Sequence, residues 1–541
     1  MSTVVADEEA RSNPDAGRVA PLVLRPGSIS PELVDRLLDA VSTQGTGSPV
    51  TTTAPFDGEV IAELPQCVPD DIVAAEASAR EAQQAWAATP VRERCEVFLR
   101  MHDLVLEHQD TLMDLIQLEN GKARRDAFLE VADIAITSRY YARSAPGALR
   151  ARSRGGMVPG LTAVRELRHP KGVVSLISPW NYPLSLAAGD TIPALLAGNA
   201  VVHKPDNQTA LTALYARELA IEAGLPPDIW QIVLGRGSTI GTPLLDIADY
   251  VMFTGSTESG RRIAAECGSR LIDCSAELGG KNAMIVMDDA DLDRAVEGAT
   301  RACFSSSGQL CISVERMYVA DGIWDRFVPR FVEAVESMVM GAAFDFSAQM
   351  GTLTSAEQLE VTQRHVEGAR DAGATVLTGG NARPELGAWF YEPTVLSGVT
   401  DAMECFAEET FGPVVSLYRY SSLDEAIEWA NDTRYGLNAS VWSTDGRAGR
   451  EVASRLRSGT VNINEAYAAA WGSVDAPMGG MGDSGLGRRH GEGGITKYTE
   501  AQTIAQQRFM NLAPLPGLMD DRTFAKVMTM SLRALKSIGW R

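Results

Sequence analysis

The chain has too few basic residues for nucleic acid to be its main partner. Its 541 residues include 49 Lys and Arg against 70 Asp and Glu, a formal net charge of -21 at pH 7. A surface that neutralises phosphates must be basic, so this balance argues against a nucleic-acid partner. The acidic charge and a hydrophobic content of 45% are typical of a soluble globular protein, and we predict a cytoplasmic location.

Metal-ligand spacings and paired cysteines are also missing. Only six histidines occur, and no two stand in an H-x-x-x-H spacing, so we predict no metal site. No two cysteines form a C-x-x-C pair, and their scatter through a long chain favours a reducing compartment over a disulfide framework. The seven cysteines are Cys67, Cys95, Cys267, Cys274, Cys303, Cys311 and Cys405.

Long uninterrupted apolar runs are absent as well. The most apolar long window, PLSLAAGDTIPALLAGNAVV, is broken by Asp190, Pro193 and Asn199, so we predict no transmembrane helix and consider a membrane partner disfavoured. The N-terminal stretch MSTVVADEEARSNPDAG is acidic and has no apolar core, which argues against a signal peptide.

The order of apolar runs predicts an α/β fold. From residue 171, the runs GVVSLIS, NAVVHK and YVMFTGS alternate with helical patterns, and the alternation resumes after 280 with NAMIVM and a helix that Asp291 can cap. Such alternation indicates parallel sheets with right-handed crossovers. A length of 541 residues is too great for one core, and we place the start of a second α/β domain near residue 277. Before this region we predict a hairpin with Asp57 and Gly58 at its turn.

Three short motifs each allow a functional and a structural interpretation. GRGSTIG has one residue too many for the dinucleotide fingerprint G-x-G-x-x-G, and a plain turn is an equal alternative. FTGSTESG places Gly255 and Ser256 at a predicted helix N-terminus, which either favours a phosphate or is simply capped. Asn181 in SPWNYP is either an amide donor for an oxyanion or a turn residue before proline.

Two further motifs are equally open when taken alone. HKPDN ends a predicted strand, where Lys204 either meets a ribose hydroxyl or a 2′-phosphate, or is solvated. Glu277 in ELGGKN is either a general base or a surface carboxylate.

The cysteines near residue 305 fall into two environments. Cys303 lies on the apolar face of a predicted helix and is expected in the core. Cys311 follows a polar loop, SSSGQL, and is expected to be less deeply packed. A nucleophilic thiol needs a lowered pKa, for example from backbone dipoles or a nearby cation, and the sequence does not show that pKa.

The order and spacing of the motifs are specific even though each motif is modest. PWNYP, KPDNQT, FTGSTESG, ELGGKN, SSSGQLC and EETFGPV together resemble the aldehyde dehydrogenase superfamily over roughly residues 50–500, and NINE and PMGGMGDSGLGRRHG match late segments of that family. The resemblance implies an α/β fold with a Rossmann-like cofactor domain, an α/β catalytic domain and a small oligomerisation hairpin. The implied segments are an N-terminal arm at 1–50, a cofactor-binding domain at 51–276 with 150–170 in the hairpin, a catalytic domain at 277–460, a return to the cofactor and oligomerisation region at 461–500, and a C-terminal extension at 501–541.

The resemblance also implies the catalytic roles. Cys311 matches the thiol that attacks the aldehyde carbonyl, and Asn181 with the backbone N–H of Cys311 matches the oxyanion donors. Hydride transfer then leaves a thioester, and Glu277 matches the base that activates water for its hydrolysis. The positions that match cofactor contacts are Trp180, Asn181, Lys204, Pro205, Asp206, Asn207, Gly255, Ser256, Leu278, Glu409 and Phe411.

Two departures from the family pattern concern cofactor and substrate. NAD-preferring members often carry a glutamate at the position of Asn207, so its absence favours NADP, with NAD possible and Asp206 a countervailing charge. Within the family the chain looks most similar to actinobacterial NADP-dependent succinate-semialdehyde dehydrogenases. Well-matched members with that activity carry arginines at the positions of Ser305 and Gly189, so no cation is visible for a distal carboxylate.

The resemblance leaves alternatives for the substrate and for the reaction. Succinate semialdehyde is our best prediction for the substrate, and a less polar aliphatic or aromatic aldehyde is the alternative. Glu277 argues against transfer of the acyl group to coenzyme A, and the retained Cys311, Glu277 and Asn181 argue against an inactive structural or binding protein.

A homodimer or homotetramer is predicted, with LTAVRELRHPKG supplying the hairpin. The basic amphipathic tail FAKVMTMSLRALKSIGWR is predicted to pack on the domain or a neighbouring subunit rather than on a membrane.

Overall fold

The computed structural model describes residues 26–157, 161–508, 511–514 and 517–540. The predicted N-terminal arm therefore lies outside the described residues up to position 25. Within the arm, Pro31–Asp39 forms a short helix, where the Ser30 hydroxyl accepts a hydrogen bond from the backbone N–H of Leu33. The predicted hairpin is also confirmed, since Val50–Thr53 pairs antiparallel with Val60–Leu64.

Helices and strands alternate along most of the described chain. The helices are Pro31–Asp39, Pro69–Ala88, Val91–Glu107, Gln109–Asn120, Arg124–Ala148, Pro183–Leu196, Ala210–Glu222, Gly237–Asp246, Thr257–Ser269, Leu292–Phe304, Asp321–Glu336, Ala356–Asp371, Glu404–Ala407, Leu423–Asn431, Gly446–Arg455, Ala468–Gly472, Gly491–Thr496 and Asp521–Ser537. The strands are Val50–Thr53, Val60–Leu64, Arg152–Arg154, Thr162–Pro170, Val173–Ile177, Ala200–Lys204, Trp230–Ile232, Tyr250–Thr254, Asp273–Glu277, Asn282–Val286, Val314–Ala320, Thr375–Thr378, Thr394–Ser397, Val414–Tyr420, Asn438–Trp442, Thr460–Ile463, Gly485–Leu486 and Thr499–Gln507.

A six-stranded sheet forms from the first predicted α/β region. Its neighbouring strands are parallel except at one edge, where Gly485–Leu486 pairs antiparallel with Asp273–Glu277. The central strands are buried on both faces, which explains why they read as continuous apolar runs rather than as alternating ones. The strand order is Gly485–Leu486, Asp273–Glu277, Tyr250–Thr254, Val173–Ile177, Ala200–Lys204, Trp230–Ile232.

A seven-stranded sheet follows, and the chain passes into it between Glu277 and Asn282. It is parallel except for its antiparallel first pair. The strand order is Thr375–Thr378, Thr394–Ser397, Val414–Tyr420, Val314–Ala320, Asn282–Val286, Asn438–Trp442, Thr460–Ile463. The predicted α/β fold class is confirmed by these two sheets, whereas the domain limits stay a prediction.

A third, antiparallel sheet stands apart from the other two. The strand Thr162–Pro170 lies between Arg152–Arg154 and Thr499–Gln507 and pairs with both. Most residues of Thr499–Gln507 are exposed. No helix within the described ranges has both the length and the apolar content needed to cross a bilayer.

Candidate active site

The loops that leave the carboxyl ends of three strands of the six-stranded sheet meet the thiol-bearing segment around one cavity of about 250 Å³. Ligands of open parallel sheets bind at this edge, because the loops there converge. Most of the residues proposed from the sequence as catalytic or cofactor contacts line the cavity. The lining consists of Pro179, Trp180, Asn181, Thr254, Gly255, Ser256, Glu277, Leu278, Gly279, Cys311, Gln358, Glu409 and Phe411.

The segment before Cys311 is a turn with an unusual backbone. Ser306, Ser307 and Gly308 have φ of 50°, 56° and 71°, in the left-handed region that non-glycine residues avoid. The backbone N–H of Ser306 donates to the buried Asp126 carboxylate at 2.9 Å, and the Ser307 hydroxyl donates to a backbone carbonyl at 3.1 Å. These hydrogen bonds hold a turn that is unfavourable by itself and fix the position of Cys311 behind it.

Cys303 and Cys311 occupy the two environments that the sequence predicts. Cys303 is fully buried on the helix Leu292–Phe304, whereas Cys311 is half-buried. Burial raises the pKa of the Cys311 thiol to about 12, although the positive charge of Arg489 acts in the opposite direction. The thiol is therefore neutral in this state, and its activation depends on further positive charge or a base.

Asn181 is held in the cavity wall by its neighbours. Its side-chain amide donates to the carbonyl of Gln309 at 3.0 Å, which joins it to the segment that carries the thiol. Its own carbonyl accepts from the buried ammonium of Lys122 at 2.7 Å. Lys122 in turn pairs with Glu130 at 2.7 Å, and Glu130 also accepts from the backbone N–H of Leu184 at 2.9 Å.

Glu277 is a buried carboxyl at the end of a strand. Removal from water raises its pKa to about 7, and the positive charges of Arg489 and Lys497 limit the rise. A carboxyl with this pKa changes protonation near neutral pH, which suits a general base.

Glu277 lies near a group of buried charges that no sequence motif indicated. Arg489 is buried and forms an ion pair with the buried carboxylate of Asp190. Its pKa is raised by the carboxylates of Asp190 and Glu277, which outweigh burial. The two partners stand 299 positions apart in the chain, so no local pattern pointed to them.

Gly255 and Ser256 stand at the start of the helix Thr257–Ser269, as predicted. The Ser256 side chain accepts from the backbone N–H of Ser259 at 3.3 Å, so this helix start is capped. It also faces the cavity, where helix N–H groups favour an anion. Leu278 lies beneath the helix and its side chain leaves no room for a Cβ at Gly260.

Glu409 and Phe411 form the opposite wall. The carboxylate of Glu409 accepts from the backbone N–H of Gly280 at 2.8 Å, and burial together with the charge of Glu315 raises its pKa to about 8. The Phe411 ring meets Trp180 edge-on, with ring centroids 5.6 Å apart.

The backbone around Phe411 depends on Glu315, which no sequence motif indicated as part of the site. Phe411 has a left-handed φ of 52°. The buried carboxylate of Glu315 accepts from the backbone N–H of Thr410 and of Phe411, both at 2.9 Å, and pairs with Lys281 at 2.5 Å. Glu315 and Phe411 are 96 positions apart, so only the fold brings them together.

The HKPDN residues do not line this cavity. The solvated alternative for Lys204 does not hold, because Lys204 is buried at 8% exposure and its ammonium donates to the carbonyl of Pro205 at 3.2 Å. Asp206 caps a short turn through the backbone N–H of Gln208. The Asn207 amide donates to the Gln66 side chain at 3.0 Å. These four predicted contacts lie at the carboxyl end of the strand Ala200–Lys204, next to the strand whose loop carries Trp180 and Asn181.

The motif GRGSTIG is not part of the cavity lining. Gly237 is the first residue of the helix Gly237–Asp246, and the plain structural interpretation fits this motif. Among the described residues, no three side chains of His, Cys, Asp or Glu come together in a way that could hold a metal ion.

Two named proteins are similar to this chain over most of its length. A protein of Mycolicibacterium smegmatis, provisionally named succinate-semialdehyde dehydrogenase (NADP+), is 52% identical over 486 residues, covering 90% of this chain and 94% of the relative. The mitochondrial succinate-semialdehyde dehydrogenase of Arabidopsis thaliana is 38% identical, covering 83% of this chain and 84% of the relative.

Solved structures share the fold. A betaine aldehyde dehydrogenase point mutant from Staphylococcus aureus, crystallised with NAD+, matches with a TM-score of 0.83 and 31% identity, covering 89% of this chain and 98% of that one. The model of the aldehyde dehydrogenase family matches residues 41–504. With this match over most of its length, the chain belongs to the aldehyde dehydrogenase family.

Proposed function

We propose that the protein oxidises succinate semialdehyde to succinate with NADP, and that Cys311, Asn181 and Glu277 carry the reaction. The strongest support for this function is that the three residues line one cavity, and that Ser256, at the start of a helix, lines the same cavity. The names of the relatives from M. smegmatis and A. thaliana support the choice of substrate. A less polar aliphatic or aromatic aldehyde is the alternative, since Ser305 offers no cation.

The proposed reaction proceeds through the thiol of Cys311. Its sulfur, as the thiolate, bonds to the aldehyde carbon, and the carbonyl oxygen becomes an oxyanion that the Asn181 amide and the Cys311 backbone N–H stabilise. NADP, when bound, supplies the acceptor for the hydride that leaves this carbon. Loss of the hydride leaves a thioester, and the Glu277 carboxylate takes a proton from the water that attacks it. The products are the carboxylic acid, NADPH, a proton and the free thiol.

The residues around the cavity fit a nicotinamide dinucleotide. The helix start at Ser256 suits a pyrophosphate, and Trp180 and Phe411 provide an aromatic wall for a flat ring. Outside this cavity, after the neighbouring strand, the Oδ1 atom of Asn207 is buried and has no hydrogen-bond partner among the described residues, and a ribose hydroxyl would satisfy it. Lys204, three residues before Asn207, carries an ammonium that would pair with a 2′-phosphate, which supports NADP over NAD even though burial lowers the pKa of Lys204.

The proposal also covers the location and the oligomeric state of the protein. We place the protein in the cytoplasm as a homodimer or homotetramer, with 150–170 contributing the contact. The exposed strand Thr499–Gln507, which pairs with Thr162–Pro170, supports this use of the third sheet.

Replacement of the proposed nucleophile tests the function directly. The wild-type protein is assayed for NADPH and NADH formation from succinate semialdehyde, and kcat/KM is expected to be higher with NADP. Cys311→Ala should lower turnover by at least about 10⁴-fold, because no other group forms the thioester. Cys95→Ala, at a buried cysteine in another part of the core, is the matched control and should retain turnover. Turnover that survives in Cys311→Ala contradicts the assignment, and a preference for NAD contradicts the cofactor.

A further inference from the structure

A second cavity, of about 730 Å³, reaches the segment that carries Cys311 from another direction. Ser305, which directly precedes the left-handed turn, lies in its wall together with Tyr467. The next residue, Ser306, donates through its hydroxyl to Tyr182 at 3.1 Å, and Tyr182 directly follows Asn181. The wall of this cavity is therefore continuous with the thiol segment and with the proposed oxyanion donor.

Two arginines line the second cavity. Arg301 lies one helical turn before Ser305, so both side chains are on one face of the chain as it leaves the helix Leu292–Phe304. Arg125 comes from the helix Arg124–Ala148 and is exposed to the cavity. A guanidinium presents parallel N–H donors that match a carboxylate, so this pair supplies what Ser305 itself lacks.

The two arginines differ in what they already bind. Arg301 pairs with Glu465 through contacts of 3.1 and 3.2 Å, and its side chain is 45% exposed. The side chain of Arg125 is exposed and has no hydrogen bond or ion pair within the ranges that the structure describes, although its charge limits the rise in the pKa of the neighbouring Asp126. Its neighbour Asp126 is occupied by the backbone N–H of Ser306 at 2.9 Å, which leaves the guanidinium of Arg125 available.

The carboxylates that line the second cavity offset the positive charge of Arg125 and Arg301 only in part. Asp293 pairs with Arg330 at 3.0 Å, and Asp126 is buried behind the turn. Glu297 also lines the cavity and opposes an anion there.

We propose that Arg125 and Arg301 bind the distal carboxylate of a short semialdehyde acid, with Arg301 exchanging Glu465 for the substrate. The inference rests on the proposed function, because it assumes that the aldehyde end reaches Cys311. It accounts for an acidic substrate in a chain that has Ser305 and Gly189 at the positions where an arginine was expected.

The test compares two aldehydes of similar size, succinate semialdehyde and butanal. Arg125→Gln and Arg301→Gln should each lower the ratio of kcat/KM for succinate semialdehyde over butanal by about 10- to 100-fold, as expected for a charged hydrogen bond. Arg294→Gln, on the same helix but outside the cavity lining, is the matched control and should leave that ratio at the wild-type value. Equal losses for both aldehydes, or an unchanged ratio in both variants, would overturn the proposal.

Replacement of Glu465 should strengthen the binding of succinate semialdehyde rather than weaken it. Glu465→Gln keeps the shape of the side chain and removes the anion that competes for Arg301, so KM for succinate semialdehyde should fall several-fold. A rise in that KM would count against the exchange of Glu465 for substrate.

Calorimetric titration with succinate separates this inference from the proposed function, since it needs no turnover. Succinate should bind the wild-type protein and bind more weakly to Arg125→Gln and Arg301→Gln. If no aldehyde is oxidised but this pattern holds, the proposed function fails and the carboxylate site stands. If butanal is oxidised but succinate binds both variants as tightly as the wild-type protein, the proposed carboxylate site is wrong and the proposed function stands.

Discussion

At the scale of single residues, the charge of Glu277 is balanced by groups that lie far away in the chain. Burial raises its pKa to about 7, while Arg489 and Lys497 lower it and Asp190 raises it. The buried ion pair between Arg489 and Asp190 thus places both a positive and a negative charge near one carboxyl. The protonation of Glu277 near neutral pH is a balance of opposing effects rather than a property of burial alone.

The pH dependence of thioester hydrolysis should report this balance. Only the carboxylate form of Glu277 accepts a proton, so the rate should rise with pH and level off above a midpoint of about 7. Glu277→Gln should give an initial burst of NADPH followed by slow turnover, without that dependence. Arg489→Gln should move the midpoint to higher pH, because it removes the charge that lowers the pKa of Glu277.

Stopped-flow measurement of the burst and of the steady-state rate across pH checks these outcomes. A normal steady state in Glu277→Gln would remove it as the base, and a midpoint that falls in Arg489→Gln would contradict the electrostatic explanation.

Residues were predictable from sequence where a local pattern surrounds them. Cys303 follows the helical period and is buried, and Cys311 follows a polar loop and is half-buried, as predicted. Arg489 and Glu315 were not predictable, because each acts on residues far away in the chain. Local periodicity carries no information about such long-range pairs.

At the scale of elements, apolar runs and caps predicted most strands of the six-stranded sheet and most of the helices that connect them. The strand Tyr250–Thr254 and the helix that begins at Thr257 match FTGSTESG, and Asp291 caps its helix by accepting from the backbone N–H of Arg294. Gly198 has a φ of 97° just after the helix Pro183–Leu196, a left-handed conformation that is typical of a glycine at the end of a helix. The left-handed Ser306 and Phe411 were not predictable, because distant carboxylates stabilise them.

Loss of the Glu315 carboxylate should loosen the loop that carries Glu409 and Phe411. Glu315→Gln cannot accept both backbone N–H groups as strongly, and it leaves Lys281 as an unpaired buried charge. We expect KM for NADP to rise about 10-fold and the free energy of unfolding to fall by about 3 kcal/mol. Steady-state kinetics and urea denaturation measure the two effects.

The double variant Lys281→Met with Glu315→Gln separates stability from positioning. It removes the unpaired charge and should recover most of the free energy of unfolding, while KM for NADP stays raised. Recovery of both quantities together would mean that Glu315 acts only on stability.

At the scale of the whole molecule, composition and alternation were enough to predict the α/β class. The match to the aldehyde dehydrogenase family over residues 41–504 confirms the resemblance drawn from the motifs. The sequence did not show that two arginines from different helices share a cavity with Ser305, because that requires the packing of Leu292–Phe304 against its neighbours.

Assembly through the third sheet makes a prediction about the whole molecule. Ile504 is 47% exposed on the strand Thr499–Gln507, and a partner subunit should cover it. Light scattering should give the mass of a dimer or tetramer for the wild-type protein, and Ile504→Glu should shift the population to smaller species. A monomeric wild-type protein would contradict the proposed assembly.

The turn before Cys311 has one more consequence, for the timing of the reaction. Gly308 sits so close to the backbone of Gly412 that even a methyl group would collide with its carbonyl oxygen. Gly412 directly follows Phe411, so the thiol turn packs against the loop beside the aromatic wall. Under the proposed function, a cofactor that rests against Phe411 would bear on the loop that packs against the thiol turn. Kinetically, this contact favours an ordered sequence in which the dinucleotide binds before the aldehyde.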